Sequence, residues 1–252
     1  MSKLVSVIIP YYKNIDFISK CIRSIQDQKY KPLEIIVIYD DENKFELKIL
    51  KKKFNNIKNL KILVNKKNLG ASLSRNRGIR KANGDYIAFL DSDDYWKKNK
   101  LKKQLRFMKD NFLDFSYTGY DIFLKKKFIK KKINKKNSYD SLLKNCYIGL
   151  STVIISSKIK KIANFPKLKT QEDYALWLKL LRKGVRMKGL PESLSVWRDK
   201  PNSLSSNVIQ KFYDAFRLYF YHENKNFFIA LFCVLSLSIN KIKNTLKIKF
   251  SR

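Results

Sequence analysis

Over the first hundred residues the apolar positions fall in short, nearly unbroken blocks, and between the blocks they recur at three- and four-residue spacing. The blocks are residues 4–9, closed by Pro10, then 33–39, 60–64 and 86–90. Each is too short for a buried helix and rich in β-branched residues, so each is read as a strand. Between them Phe17, Ile18, Cys21, Ile22 and Ile25 mark one helix. Phe45, Leu47, Ile49, Leu50 and Phe54 mark a second, and residues 71–82 a third. Strand and helix therefore alternate as βαβαβαβ. Continuous apolar strands joined by helices predict an α/β fold whose mostly parallel central sheet is covered on both faces, and such sheets bind ligands beyond the carboxyl ends of their strands.

Past Trp96 the pattern loosens. Residues 97–110 predict an exposed cationic helix, 115–123 a strand, 125–136 a lysine-rich loop or hairpin, and 147–155 another buried strand. Residues 170–183 place Tyr174, Leu176, Trp177, Leu180 and Leu181 at helical spacing. Thr170 is the expected cap, and Glu172 and Asp173 occupy the first turn, where acids suit the helix dipole. A tail follows, dividing the chain into a domain at 1–207 and an apolar, basic segment at 208–252. Residues 208–221 predict an aromatic amphipathic helix. The apolar run at 227–239 falls short of the ~20 residues needed to cross a bilayer; it suits packing on the domain, pairing with a second subunit in a homodimer, or lying in a membrane interface.

Composition narrows the function. The chain carries 55 Lys and Arg against 21 Asp and Glu, a net charge of +34. Such charge attracts nucleic acid or an anionic membrane surface. Lysine predominates over arginine, and no nucleic-acid-binding module is evident, so nucleic acid is not expected as a partner. Cys21, Cys146 and Cys233 lack paired spacing and are read as reduced, buried filler. With His222 as the single histidine, far from the other motifs, a general base is expected to be a carboxylate. No signal peptide is visible before the first strand, which predicts a cytoplasmic protein, peripheral at the inner face of the membrane if the tail binds lipid.

Within this basic chain, acids gather at the predicted strand ends: Asp40, Asp41 and Glu42 after the second strand, Asp91, Asp93 and Asp94 after the fourth. One such cluster is an ordinary acidic turn. Several at one sheet edge outline a nucleotide-sized cleft. Three acids in four positions call for a counter-charge, and a divalent metal (Mn²⁺ or Mg²⁺) holding a diphosphate is the natural one.

Five ordered segments carry a family resemblance. They are V-S-V-I-I-P-Y-Y-K-N at 5–14, I-V-I-Y-D-D at 36–41, N-L-G-A-S-L-S-R-N-R-G-I at 68–79, G-D-Y-I-A-F-L-D-S-D-D at 84–94 and Q-E-D-Y-A-L-W-L at 171–178. With W-R-D-K-P-N-S-L-S at 197–205, they resemble the family 2 glycosyltransferases of GT-A fold, over residues 4–205. The resemblance implies a Rossmann-like sheet and transfer of a sugar from a nucleotide-sugar donor to a glycan or lipid-linked acceptor. By the same resemblance Pro10 and Tyr12 would line the base pocket, and Asp41, with Asp40 beside it, would accept a hydrogen bond from the base. Arg75 and Asn76 would approach nucleotide and sugar. Asp91, Ser92 and Asp93 match the D-x-D element, with Asp93 on the metal and Asp91 toward ribose or sugar. Asp173 matches the catalytic base, and Arg198 and Ser203 fall on a closing loop that meets the diphosphate. Two departures stand out: Glu42-Asn43 replaces the Gly-Ser of many relatives, and Lys13 stands where many have Asn.

The chemistry suits these residues. Cleaving an anomeric carbon–phosphate bond leaves charge on the departing diphosphate, which a metal and Arg198 can stabilise. One carboxylate base with no second nucleophile implies a single displacement with inversion. A nucleotidyltransferase would want a glycine-rich loop after the first strand, and residues 10–17 contain no glycine. A non-catalytic basic protein on a degenerate transferase fold, binding membrane or nucleic acid, is the remaining alternative, and the intact acids argue against it.

Overall fold

The computed structural model describes residues 2–124, 127–131, 133, 138–199 and 207–250, the side chains of 241–250 excepted. Strands β1 (Val5–Tyr11) and β2 (Leu33–Tyr39) are buried along nearly their whole length, as apolar strands covered on both faces must be. Helix α1 (Ile15–Gln26) buries Ile18, Cys21, Ile22 and Ile25 on one face of the sheet. Helix α2 (Phe45–Lys53), strand β3 (Leu60–Val64), helix α3 (Gly70–Lys81) and strand β4 (Tyr86–Phe89) complete the alternating series. Helix α3 lies directly on β1: a β-carbon at Gly78 would stand 2.5 Å from Ile8 Cγ2, so only glycine allows this approach.

The sheet runs β3-β2-β1-β4, all parallel, with Tyr11 opposite Tyr39 and Ile8 opposite Phe89. Four carboxyl ends therefore open on one rim. Beyond β4 the sheet becomes mixed: β8 (Ile154–Ser156) pairs antiparallel with β4 and with β6 (Phe115–Leu124). Strand β6 pairs parallel with β9 (Met187–Arg198), and β9 carries the two-residue strand β5 (Tyr95–Trp96) at the edge. Within the lysine-rich segment Lys127–Lys131 form strand β7, antiparallel to β6. The strand expected at 147–155 is confined to its last residues. Leu150–Thr152 instead wind into a 3-10 turn, buried like a strand but facing its polar atoms toward the β4 end.

Helix α4 (Lys100–Asp110) covers one face, and α5 (Tyr139–Lys144) with α6 (Glu172–Arg182) the other. Thr170 does not cap α6. The capping position is Gln171, held at φ +61°, while both the backbone N–H and the hydroxyl of Thr170 donate to the buried carboxylate of Asp214, a stronger acceptor (2.9 and 3.0 Å). Asp214 lies on α7 (Val208–Arg217), which a π turn (Leu218–His222) links toward α8 (Phe227–Phe250). Ala215, Leu218, Tyr219, Ala230 and Val234 from this tail enter the same core as Trp177 and Phe89. Among the described residues no helix is long and apolar enough to cross a membrane. Cys146 is exposed, unlike the buried Cys21, because it sits on the open stretch between α5 and the 3-10 turn.

Candidate active site

The rim above β1, β2 and β4 is held together by side chains that cross between loops. Asn14, after β1, donates to the Ser92 hydroxyl after β4 at 2.6 Å. Tyr12 is exposed with the Lys13 ammonium over its ring at 5.1 Å, and Lys13 takes the left-handed conformation at φ +45°. The lysine pKa is raised, first by its bond to Tyr12 and also by the charge of Asp41. Asp41 accepts from the Asn43 N–H at 3.2 Å, and its own carbonyl accepts from Lys44. Pro10 is half-buried on β1 beside these groups.

Asp40 and Asn76 are spent on scaffolding. One Asp40 oxygen accepts from Asn65 and the Leu69 N–H, the other from the Gly70 N–H at 2.7 Å. A carboxylate at the first turn of α3 suits the positive end of that helix. Asn76 clamps Phe165, donating to its carbonyl and accepting from its N–H, both at 2.8 Å. Both side chains are buried.

At the end of β4 the acids divide. Asp94 is buried: one oxygen accepts from the Ser151 hydroxyl at 2.6 Å, the other from the Arg198 N–H at 3.1 Å. Burial, then the charges of Asp93 and Asp91, raise its carboxyl well above the usual carboxylate range. Ser151 also accepts from the Asp91 N–H at 3.1 Å, and its carbonyl accepts from the Trp96 indole at 2.7 Å. This 3-10 turn thus fixes the acidic loop from below, a role that sequence reasoning missed. Asp93 is only partly buried. The Arg198 guanidinium stacks over Phe17 and Tyr95, each at 5.1 Å. Ser203 lies outside the described residues.

A long-range ion pair joins this loop to α6. Arg75 is buried; one guanidinium nitrogen donates to Asp91 Oδ1 at 2.7 Å and another to Glu172 Oε1 at 2.5 Å. The flanking charges hold it protonated against the opposing effect of burial. Its Nε is buried without a hydrogen-bond partner among the described residues, so the two carboxylates fix its orientation. Glu172 is consumed by this bridge, while its neighbour Asp173 stays partly exposed with one oxygen accepting from the Tyr174 N–H at 2.7 Å. Its pKa is pushed up to about 7, first by burial and then by the charge of Glu172, with Arg75 pulling the other way. A carboxyl poised there can accept a proton near neutral pH. Tyr120 also belongs here: burial above all, with smaller contributions from Cys146, Asp94 and Asp173, keeps its hydroxyl protonated.

Among the described residues no three His, Cys, Asp or Glu side chains form a ready cage for a metal. The acidic loop instead offers a partly buried carboxylate, Asp93, whose charge acts with that of Asp91 on the buried Asp94. That donor set fits a hard cation which takes one or two carboxylates and completes its shell with phosphate oxygens and water.

Comparison with known proteins agrees with this architecture. The model of the family described as "Glycosyl transferase family 2" matches residues 6–163. A Bacillus subtilis (strain 168) protein carrying a provisional name as a teichuronic acid biosynthesis glycosyltransferase, TuaG, is 35% identical over 96% of this chain and 98% of its own length. The Escherichia coli UDP-Glc:alpha-D-GlcNAc-diphosphoundecaprenol beta-1,3-glucosyltransferase WfaP is 36% identical over 83% of this chain and 82% of its own. Among solved structures, S. aureus TarS 1-349 in complex with UDP-GlcNAc superposes with a TM-score of 0.72 at 22% identity, over 87% of this chain and 66% of that one. The mannosyltransferase PcManGT from Pyrobaculum calidifontis, in complex with GDP-Man and Mn²⁺, gives 0.70 at 14% identity, over 90% of this chain and 66% of that one. These likenesses establish the GT-A fold, and the sequence matches go further: the chain belongs to glycosyl transferase family 2 and is a glycosyltransferase.

Proposed function

We propose that this enzyme transfers a sugar from a UDP-linked donor to a hydroxyl of a glycan or lipid-linked acceptor, with inversion at the anomeric carbon, in the synthesis of a bacterial surface polysaccharide. The observation that carries this reading is the bridge from Glu172 through Arg75 to Asp91, which sets the neighbouring Asp173, a carboxylate poised near neutrality, close to the Asp91–Asp94 loop. Relatives named for a UDP-Glc donor and a diphosphoundecaprenol acceptor, and for teichuronic acid biosynthesis, support the choice of substrates.

In this mechanism Tyr12 and Pro10 receive the base, and Asp41 accepts its N–H. A divalent cation held by Asp93 would, when bound, act as a Lewis acid on the diphosphate. Arg198, held between Phe17 and Tyr95, contributes positive charge on the same side. Arg75 sets the distance between the Asp91 loop and the first turn of α6. Asp173 takes the proton of the acceptor hydroxyl as that oxygen attacks the anomeric carbon. With one such carboxylate, a single displacement inverts the centre.

The test is a panel of UDP- and GDP-sugars with Mn²⁺ or Mg²⁺ and a polyprenyl-diphosphate-linked saccharide acceptor, with products identified by mass spectrometry and the new linkage by NMR. Transfer from a UDP-sugar with inverted configuration is expected. Retention of configuration, or salt-sensitive capture of DNA with no turnover of any donor, would overturn the proposal.

A further inference from the structure

Helix α8 is apolar on two sides. One side, with Ala230 and Val234, packs on the domain core, and Cys233 and Leu237 lean against it. The other presents Phe228 (80% exposed), Leu231, Phe232 (69% exposed), Leu235 and Ile239 to solvent at three- and four-residue spacing. Helix α7 adds Val208, Ile209 (83% exposed), Phe212 and Tyr213, and the π turn adds Tyr221. A run of aromatic and aliphatic groups this size on a monomer marks an interaction surface.

Charge selects the partner. The only acids in the tail are Asp214 and Glu223, and both are buried. Asp214 is committed to Thr170 and Gln210, and Glu223 to Tyr139 and Arg182. The remaining charges of the tail are basic: the half-buried Lys211, Arg217, which also faces Asp214, and Lys225, with Lys241, Lys243, Lys247, Lys249 and Arg252 following in sequence. Exposed apolar rows on a tail whose acids are buried and whose other charges are basic, in a chain of net charge +34, match the boundary layer of an anionic bilayer. A second copy would bring the same cations face to face.

We propose that the outer faces of α7 and α8 form a docking surface for an anionic lipid bilayer, lying in the headgroup layer without crossing it. The surface is wired to the site. Asp214 and the Lys211 carbonyl, flanking Phe212 and Tyr213, hold Thr170 and Gln171 immediately before Glu172 and Asp173. Docking therefore fixes the height of Asp173 above the lipid, where a lipid-linked acceptor presents its hydroxyl. This deepens the proposed transfer and rests on it for the acceptor, but the binding itself needs no sugar donor.

The experiment is cosedimentation of the full chain with vesicles of phosphatidylglycerol and phosphatidylcholine in equal amounts, and with phosphatidylcholine alone. Wild type should pellet with the anionic vesicles, more weakly at high salt. A variant with Phe228→Ser, Phe232→Ser and Leu235→Ser should bind them at least roughly tenfold less, with unchanged circular dichroism and unchanged turnover on a water-soluble acceptor. Absence of wild-type binding, equal binding by the variant, or a wild-type dimer that the variant splits without any vesicle binding would each overturn the proposal. Loss of turnover on the soluble acceptor in wild type would instead count against the transfer reaction alone.

Discussion

The loop that closes β4 and the first turn of α6 both hold neighbouring acids, and they treat them alike by different means. In the loop, Asp94 is buried and tied to Ser151 and the Arg198 backbone, and Asp93 is left partly exposed. In the helix, Glu172 is tied to Arg75 and Asp173 is left partly exposed. The partners differ, however. Asp94 meets neutral donors, and burial, followed by the charges of Asp93 and Asp91, raises its carboxyl well above the usual range. Glu172 meets a guanidinium, which also restrains Asp173 from rising further. Arg75 also meets Asp91 of the loop, so one guanidinium offsets charge in both regions, while Asp94 is bonded to neutral donors. Asp40 and Asp41 are both buried, the first saturated at the start of α3 and the second close enough to Lys13 for its charge to act there.

The most forceful way to break this comparison is to remove the bridge between the regions. Arg75→Met leaves Asp91 and Glu172 buried or half-buried without their cation, and should cost about 3–5 kcal/mol of stability in urea unfolding. A loss below about 1 kcal/mol would show that the two acids do not depend on it. Asp93→Asn should leave folding intact and weaken cation-dependent UDP binding by about 1.5–3 kcal/mol in calorimetry. Ser151→Ala removes a donor to Asp94 and the acceptor of the Asp91 N–H, and should cost about 1–3 kcal/mol of stability. The smallest effect concerns pH. Because the base must be ionised, turnover should rise with pH to a limb near the Asp173 pKa of about 7, and fall about tenfold per unit below it. Glu172→Gln removes the second-largest cause of that raised pKa and frees Arg75 to act on Asp173. Both changes lower the pKa, so the limb should move toward acid; an alkaline shift in the pH–rate profile would refute the assignment.

Legibility in the sequence followed the range of the interactions. Strands such as Leu33–Tyr39 and Leu60–Val64 were readable to the residue, because apolar runs bounded by polar turns are local signals. So was the rim of acids, since strand direction alone sends their ends to one edge. The turn at Leu150–Thr152 was read as strand, since burial makes both look apolar, and Ser151 is one hydroxyl in that run. Arg75 and Glu172 meet across 97 positions, and Asp214 meets Thr170 across 44; no periodicity reports such partners. The identity of Asp40 and Asn76 as scaffold needed the same three-dimensional information, for their neighbours are backbone groups of distant turns.

The division within the Glu172-Asp173 pair is tested most directly by measuring kcat and unfolding free energy for Asp173→Asn and Glu172→Gln side by side, at saturating donor. The division predicts that Asp173→Asn loses about 10²- to 10⁴-fold in kcat with donor affinity and stability nearly unchanged, whereas Glu172→Gln loses stability and keeps most of its turnover. The reverse ranking, with Glu172→Gln inactive and Asp173→Asn within tenfold of wild type, would contradict it.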